Sequence, residues 1–270
     1  MTSGRSSRAP DDPSAKEWNA AAYHVVSEPQ FAWGLRVLER LSLDGDEHVL
    51  DAGCGSGRLT KELASRVPDG LIVGCDLSEN MTRAAAQTLG TSAAPVVCAD
   101  LTALPFRGAF DAVFSTATFH WIHDHDRLFA ELRGALRGRG RLEAQSGGGP
   151  NLAAVHARAD ALASLPAFRP HFATWREPWH FPTAEDTDAC LRRAGFANAR
   201  CWLERAPTTF ADAERYRAFI EAVVMRPYLA RISDPELRAK FLERLVGDAA
   251  GDDPPFTLDY WRLNISATTM

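Results

Sequence analysis

The chain is 270 residues long, 46% hydrophobic and 24% charged, with a formal net charge of −5. That length and balance suit a soluble globular fold with a sizeable core, and an acidic surface argues against a nucleic-acid partner, which favours basic surfaces. No apolar run reaches the ~20 residues that span a bilayer, so no membrane partner is expected. The five cysteines are odd in number and form no C-x-x-C pair. A reducing cytoplasmic setting is therefore expected, with no disulfide framework and no metal site.

Residues 1–17 are rich in Gly, Ser, Arg, Pro and Asp and lack an apolar stretch, so they read as a disordered tail. From Phe31 to Leu43, apolar residues at Phe31, Leu35, Leu38 and Leu41 predict an amphipathic helix. A regular alternation follows. Strands are predicted at His48–Ala52, Leu71–Asp76, Pro95–Asp100, Phe110–Ser115 and Arg141–Ser146. Between them lie helical patterns at Leu59–Val67, at Ser78–Leu89 with Ser78 as N-cap, and at Leu128–Leu136. Strands and helices in this rhythm make an α/β fold, a doubly wound parallel sheet covered on both faces.

The rhythm breaks after Ser146. Asn151–Phe181 shows no clean period, then Thr183–Phe196 predicts a helix and Ala199–Arg205 a strand. Two amphipathic helical patterns follow between Asp212 and Val246, and Phe256–Ala267 predicts a last strand. The expected organisation is one domain over 18–270, carrying helical lid insertions at about 151–181 and 212–247.

The chemistry concentrates at Asp51-Ala52-Gly53-Cys54-Gly55-Ser56-Gly57, a glycine loop between a strand and a helix. In open α/β sheets ligands bind at the carboxyl ends of the strands, and glycines there admit a ligand to the backbone. Asp76 and Asp100 end the next two strands, 25 and 24 residues further on. Three acids on one sheet edge suit an adenosine-containing cation. Asp76 can accept from both ribose hydroxyls, Asp100 from an adenine amino group, and Asp51 can orient the loop or balance a positive charge. The plainer alternative is three helix-capping aspartates. A dinucleotide fits less well, since its G-x-G-x-x-G/A pattern meets Arg58 where a small residue belongs.

These residues, with Asp100-Leu101 and Phe110-Asp111-Ala112-Val113, resemble the motifs of class I S-adenosylmethionine-dependent methyltransferases over about Val49–Ser146. The resemblance implies a Rossmann-like sheet of seven strands, mostly parallel, with the last strand antiparallel. It implies S-adenosylmethionine as cofactor and S-adenosylhomocysteine as product. It places Asp76 at the ribose, Leu77 and Leu101 against the adenine with Asp100, and Ser115 and Thr116 near the methionine portion. Asp51, Gly53 and Gly55 line the cofactor, and Tyr23 contacts it from an N-terminal helix. Within that class the chain is similar to the trans-aconitate methyltransferase group. The matching pieces include Phe119-His120-Trp121, Gln145, His156, Arg226-Pro227-Tyr228-Leu229 and Arg262-Leu263, with His120 standing where that group commonly has Gln.

The acceptor is expected to be a small molecule, handled by a monomer or dimer. Arg226, Tyr228, His156 and His120 are the candidate acceptor-binding residues, and His120 the candidate catalytic one. A guanidinium stays charged and grips a carboxylate with two parallel bonds, so a small organic acid methylated on oxygen is the leading reading. Arg226 in a surface salt bridge with Glu221 or Asp234 is its plainer alternative. A hydrophobic natural product methylated on a hydroxyl is another, with His120 as base and Trp175 and Trp179 lining its pocket. A catalytically inactive module that only binds the cofactor is a third. No essential cysteine is expected, because methyl transfer from a sulfonium is a direct displacement.

Overall fold

The computed structural model describes residues 28–90 and 94–270. The tail at 1–17, Trp18 and Tyr23 lie outside them. Five strands appear where the alternation placed them: β1 His48–Ala52, β2 Leu71–Asp76, β3 Val96–Cys98, β4 Phe110–Thr116 and β5 Leu136–Gly147. β6 (Phe196–Arg205), a short β7 (Thr208–Thr209), β8 (Thr257–Leu258) and β9 (Trp261–Thr269) complete the set. Seven of them form one sheet in the order β3-β2-β1-β4-β5-β9-β6. β9 runs antiparallel to both β5 and β6, and the pairings from β3 through β5 are parallel. The chain thus reverses its direction of winding at β1, which opens a crevice at the carboxyl edge between β1 and β4.

Helices cover both faces because the buried strands are apolar on both. On one face Leu50, Val73, Val113 and Ile265 pack against Phe129 and Leu132 of α4 (His125–Ala135) and Leu191 of α6 (Ala184–Arg193). On the other, Val49, Ile72 and Phe114 meet Val37 and Leu41 beside α1 (Glu28–Arg40), and Leu63 of α2 (Arg58–Arg66). α3 (Glu79–Leu89) starts as expected, its N-cap Ser78 hydroxyl accepting from the Met81 N–H. α1 begins earlier than the periodicity suggests and stops at Arg40, where Ser42 takes a left-handed φ of 46°.

The region after β5 departs most from the sequence expectation. The aperiodic stretch holds α5 (Ala153–Ala163), an alanine-rich helix whose small residues give little apolar contrast between faces. The next insertion is broken into α7 (Ala213–Phe219), a π turn at Ile220–Val224, α8 (Arg226–Arg231) and α9 (Pro235–Ala249). Pro227 sits in the first turn of α8, where no intrahelical bond needs its missing N–H. Asp234 caps α9 through the Glu236 and Leu237 N–H groups. Both insertions share one apolar core that includes Leu162, Phe219, Tyr228 and Phe241. That core extends to Trp33 of α1 and Tyr260 ahead of β9, so the insertions are packed onto the sheet edge. No helix among the described residues is long and apolar enough to cross a membrane, and the five cysteines are free thiols.

Candidate active site

The glycine loop connects β1 to α2 at the crevice. Gly53 needs to be glycine twice over: its φ is +88°, and a Cβ there would lie 2.0 Å from the Thr118 Oγ1. Gly57, at φ +81°, lets α2 approach α3, since its Cβ would meet the Ala85 Cα at 3.0 Å. Gly57 therefore performs the close packing that a dinucleotide fold assigns to the next position. Gly53 and Cys54 donate backbone bonds to the Cys75 carbonyl at 2.7 and 3.0 Å, locking the loop to β2.

Asp76 completes that lock. One carboxylate oxygen accepts the Gly55 N–H at 3.0 Å and the other the Ser78 N–H at 2.9 Å. Each oxygen has a second lone pair, so the group can accept further donors. Beside it Leu77 is 44% exposed, one of few large apolar side chains so placed. Asp100 is exposed, with one oxygen holding both the Thr102 N–H and hydroxyl at 2.8 Å. An apolar face flanked by two carboxylates is the chemistry that a ribose and an adenine require. Leu101 is buried in the core beneath Asp100.

A pocket open to solvent lies along the loop. Asp51, Gly53, Gly55, Arg58, Thr116 and Phe31 are among its walls. Arg58 is held over the Phe31 ring at 4.2 Å and paired with Glu28 at 2.7 Å, which ties α1 across the loop. Asp51 is 2% exposed and accepts from the Thr60 hydroxyl at 2.7 Å. Burial, with the like charge of Asp76 nearby, raises its pKa to about 7. The sequence reading places Ser115 and Thr116 together, and the structure separates them. Thr116 lines the pocket, while Ser115 is 1% exposed and its hydroxyl is spent on the Ala52 carbonyl at 2.6 Å, joining β4 to β1. Cys54 and Cys75 are buried thiols pushed to higher pKa by desolvation, Cys75 to about 12, so neither is a nucleophile at neutral pH.

His120 follows β4 in a short 3₁₀ turn, Phe119–Trp121. Its Nδ1 accepts the Gly147 N–H at 3.3 Å, so the ring proton of the neutral form sits on Nε2. Burial first, then the neighbouring Arg262 charge, lower its pKa to about 3. That weighs against the expectation of His120 as a base: the ring is held neutral, its Nδ1 is taken by the Gly147 N–H, and its Nε2–H is left to donate. Phe181 stacks on His120 with centroids 5.7 Å apart and on His156 at 5.9 Å. His156 also lies flat on Trp179 at 4.3 Å, and burial lowers its pKa to about 4. The two histidines are thus brought to one aromatic wall.

Tyr228 departs from expectation too. It is fully buried among Trp175, Phe241 and other lid aromatics, and its hydroxyl donates to Asp160 at 2.6 Å. Its side chain is a strut of the insertion core with its hydroxyl engaged by Asp160, which weighs against the expected contact with the acceptor. Tyr228→Phe should leave KM for the acceptor unchanged and cost about 1 kcal/mol of stability, the net worth of one hydrogen bond, read by urea unfolding. Arg226 heads α8, half-buried, with its pKa lowered by desolvation.

The residue that sequence reasoning passed over as a functional group is Arg262. It is 3% exposed at the start of β9, opposite Gly147 on β5, which puts it at the carboxyl edge of the parallel strands. Its guanidinium lies 4.6 Å from the Trp33 ring and its Nε donates to Gln145 Oε1 at 3.3 Å. Gln145 is oriented in turn by donating to Asn264 Oδ1 at 2.8 Å, which also accepts from Arg40 at 3.1 Å. The matching Arg262-Leu263 pair in the closing strand was the available signal.

Comparison with known proteins agrees with this geometry. Residues 50–144 match a family model described as a methyltransferase domain. The chain is 36% identical over 191 residues to a malonyl-[acyl-carrier protein] O-methyltransferase of Geobacter sulfurreducens, covering 68% of this chain and 69% of that relative. It is 28% identical over 254 residues to a trans-aconitate 2-methyltransferase of Methylobacterium radiotolerans, covering 88% and 91%. Among solved structures, a Haemonchus contortus phosphoethanolamine N-methyltransferase 2 in complex with S-adenosyl-L-methionine shares the fold, with a TM-score of 0.61 at 19% identity. That match covers 93% of this chain and 57% of the other.

Proposed function

The chain belongs to the S-adenosylmethionine-dependent methyltransferases, and from that premise we propose that it methylates a carboxylate oxygen of a small organic acid. The observation that carries this reading is the placing of His120 near Arg262 at the carboxyl edge of the sheet: a histidine whose proton affinity is suppressed, beside a buried guanidinium. A hydroxyl acceptor needs a base to become nucleophilic. A carboxylate is already ionised at neutral pH and needs a cation to hold it. The relatives named for trans-aconitate and for a malonyl group, both carboxylic acids, point the same way.

When bound, the cofactor supplies an electrophilic methyl group on a sulfonium. The protein's part is placement and dryness. Asp76 takes the ribose hydroxyls, and Asp100 with Leu77 takes the adenine. Leu101 sets the floor beneath it. The Gly53 and Gly55 backbone and Thr116 border the methionine portion, with Tyr23 expected to cover it. Arg262 anchors the acceptor carboxylate and His120 donates from Nε2 to the same group. His156 and Arg226 border it from the insertions, which act as a lid within one domain from 18 to 270. The aromatic wall of Phe181, His156 and Trp179 favours a second reading, a hydrophobic acceptor methylated on a hydroxyl.

Release of S-adenosylhomocysteine is to be measured across panels of di- and tricarboxylic acids, phenols and amines. Turnover confined to acids is the expected result, and turnover confined to phenols overturns the proposal. A pH profile gives an independent check. At saturating cofactor, kcat/KM for the acceptor should show no ascending limb near pH 6.5, the ordinary histidine value. A limb there that disappears in His120→Asn would restore a base mechanism.

A further inference from the structure

We propose that Asp51 discriminates the charged methyl donor from its demethylated product by holding a proton in the ligand-free pocket and surrendering it to solvent when the donor's positive charge arrives. This rests on the cofactor site described above and is independent of the acceptor.

The geometry comes from the elements packed round one carboxyl group. Asp51 ends β1, with Gly74 of β2 and Phe114 of β4 as its register partners. Its side chain is 2% exposed yet belongs to the pocket wall. From α2 it receives the neutral Thr60 hydroxyl. From β2 it faces Asp76 and the Cys75 thiol, and from the loop the Cys54 thiol. α1 contributes Gln30, uncharged, to the same pocket. Among the described residues Arg58 is the cation in that wall, and it is engaged with Glu28.

Asp76 and Asp51 therefore differ in kind. Asp76 takes a backbone N–H on each oxygen, bonds that favour the carboxylate. Asp51 has a hydroxyl donor and a like charge beside it, and desolvation favours its neutral form. Of the two carboxyls at this edge, the buried Asp51 is the one whose surroundings favour the proton.

Charge balance follows from the reaction. The donor carries a sulfonium that its product lacks, so the donor brings one more positive charge into this pocket. Ionising Asp51 offsets that charge, and the proton goes to solvent. After transfer the sulfur is neutral, and the Asp51 carboxylate again faces the like charge of Asp76. Reprotonation then weakens the product's hold relative to the donor's. The sign is fixed by the raised value: Asp51 is neutral below about pH 7, so donor binding releases most protons there.

Calorimetry tests this between pH 5.5 and 7.0, in buffers of contrasting ionisation enthalpy. The window stays below the ~7.7–8.0 of an α-amino group, so the ligand's own amine does not titrate. S-adenosylmethionine should release about half a proton at pH 7 and approach one at pH 6, with its affinity rising about tenfold from pH 5.5 to 7.0. S-adenosylhomocysteine should release fewer protons and gain less than about threefold. Asp51→Asn keeps an oxygen for the Thr60 hydroxyl and should abolish the release while binding both ligands with similar affinity. Thr60→Val, which removes the bond that favours ionisation, should move the release to higher pH. Equal proton release in wild type and Asp51→Asn overturns the proposal. So does an equal pH dependence for donor and product in the wild type, whatever the variants do. Failure of the wild type to bind either ligand would instead strike at the cofactor site itself.

Discussion

Asp76→Ala should abolish measurable cofactor binding while leaving the fold intact. The carboxylate performs two tasks at once. It holds the glycine loop through Gly55 N–H and the entry to α3 through Ser78 N–H, and in the proposed site it also accepts from the ribose hydroxyls. Hydrogen bonds to a charged group contribute about 1.5–3 kcal/mol each, so losing two ligand bonds weakens binding by at least ~100-fold. The loop keeps its Gly53 and Cys54 bonds to the Cys75 carbonyl, which is why the sheet should survive. Calorimetry gives the affinity and circular dichroism the fold. Asp76→Asn should lie between, since its amide keeps one acceptor oxygen. Binding by Asp76→Ala at the wild-type affinity would remove Asp76 from the site.

What the sequence disclosed, and what it withheld, divides along physical lines. The parallel half was legible because its inner strands are built on short apolar runs, as at Leu71–Asp76. Local pattern and tertiary role coincide in such a segment. The antiparallel placement of β9 between β5 and β6 came from family resemblance; nothing in Trp261–Thr269 itself states its partners. The insertions were read poorly for a different reason. In α5 alanines occupy exposed and buried positions alike, so no stripe marks the inner face. The π turn before Arg226 depends on the Met225 N–H reaching the Ile220 carbonyl at 2.6 Å, a choice made by packing.

The site shows the same division. The places of Asp51 and Gly53 in the pocket wall and of Asp76 at the end of β2 were legible because each follows from the backbone end it occupies. Ser115 and Tyr228 carry the right chemistry on paper, but each spends its hydroxyl on a neighbour that only the fold brings close. His120 is the subtler case. Its place near the crevice was foreseen, but its protonation was not, because both Gly147 and Arg262 reach it from distant segments.

Arg262 should prove the stronger of the two candidate anchors for the acceptor. Arg226 stands at the head of a lid helix and is half-buried. Arg262 is almost wholly buried, cradled by Trp33 and Tyr260, and aimed by a chain of hydrogen bonds through Gln145 and Asn264 to Arg40. A guanidinium fixed by its surroundings loses little freedom on gripping a carboxylate, and in a dry site the attraction is weakly screened. Truncating one partner of such a pair costs about 2–5 kcal/mol, so Arg262→Met should lower kcat/KM for an acid acceptor by roughly 30- to 4000-fold. Methionine fills the stem volume against Trp33, and a thermal melt checks that the fold persists. Cofactor affinity should not change, since Arg262 lies beyond β5 from the glycine loop. Arg262→Lys keeps the charge without the planar fork and should recover part of the loss. Arg226→Ala should cost less, and chiefly in KM. The reverse order, with Arg226→Ala collapsing turnover and Arg262→Met sparing it, would move the acceptor away from the sheet edge and onto the lid.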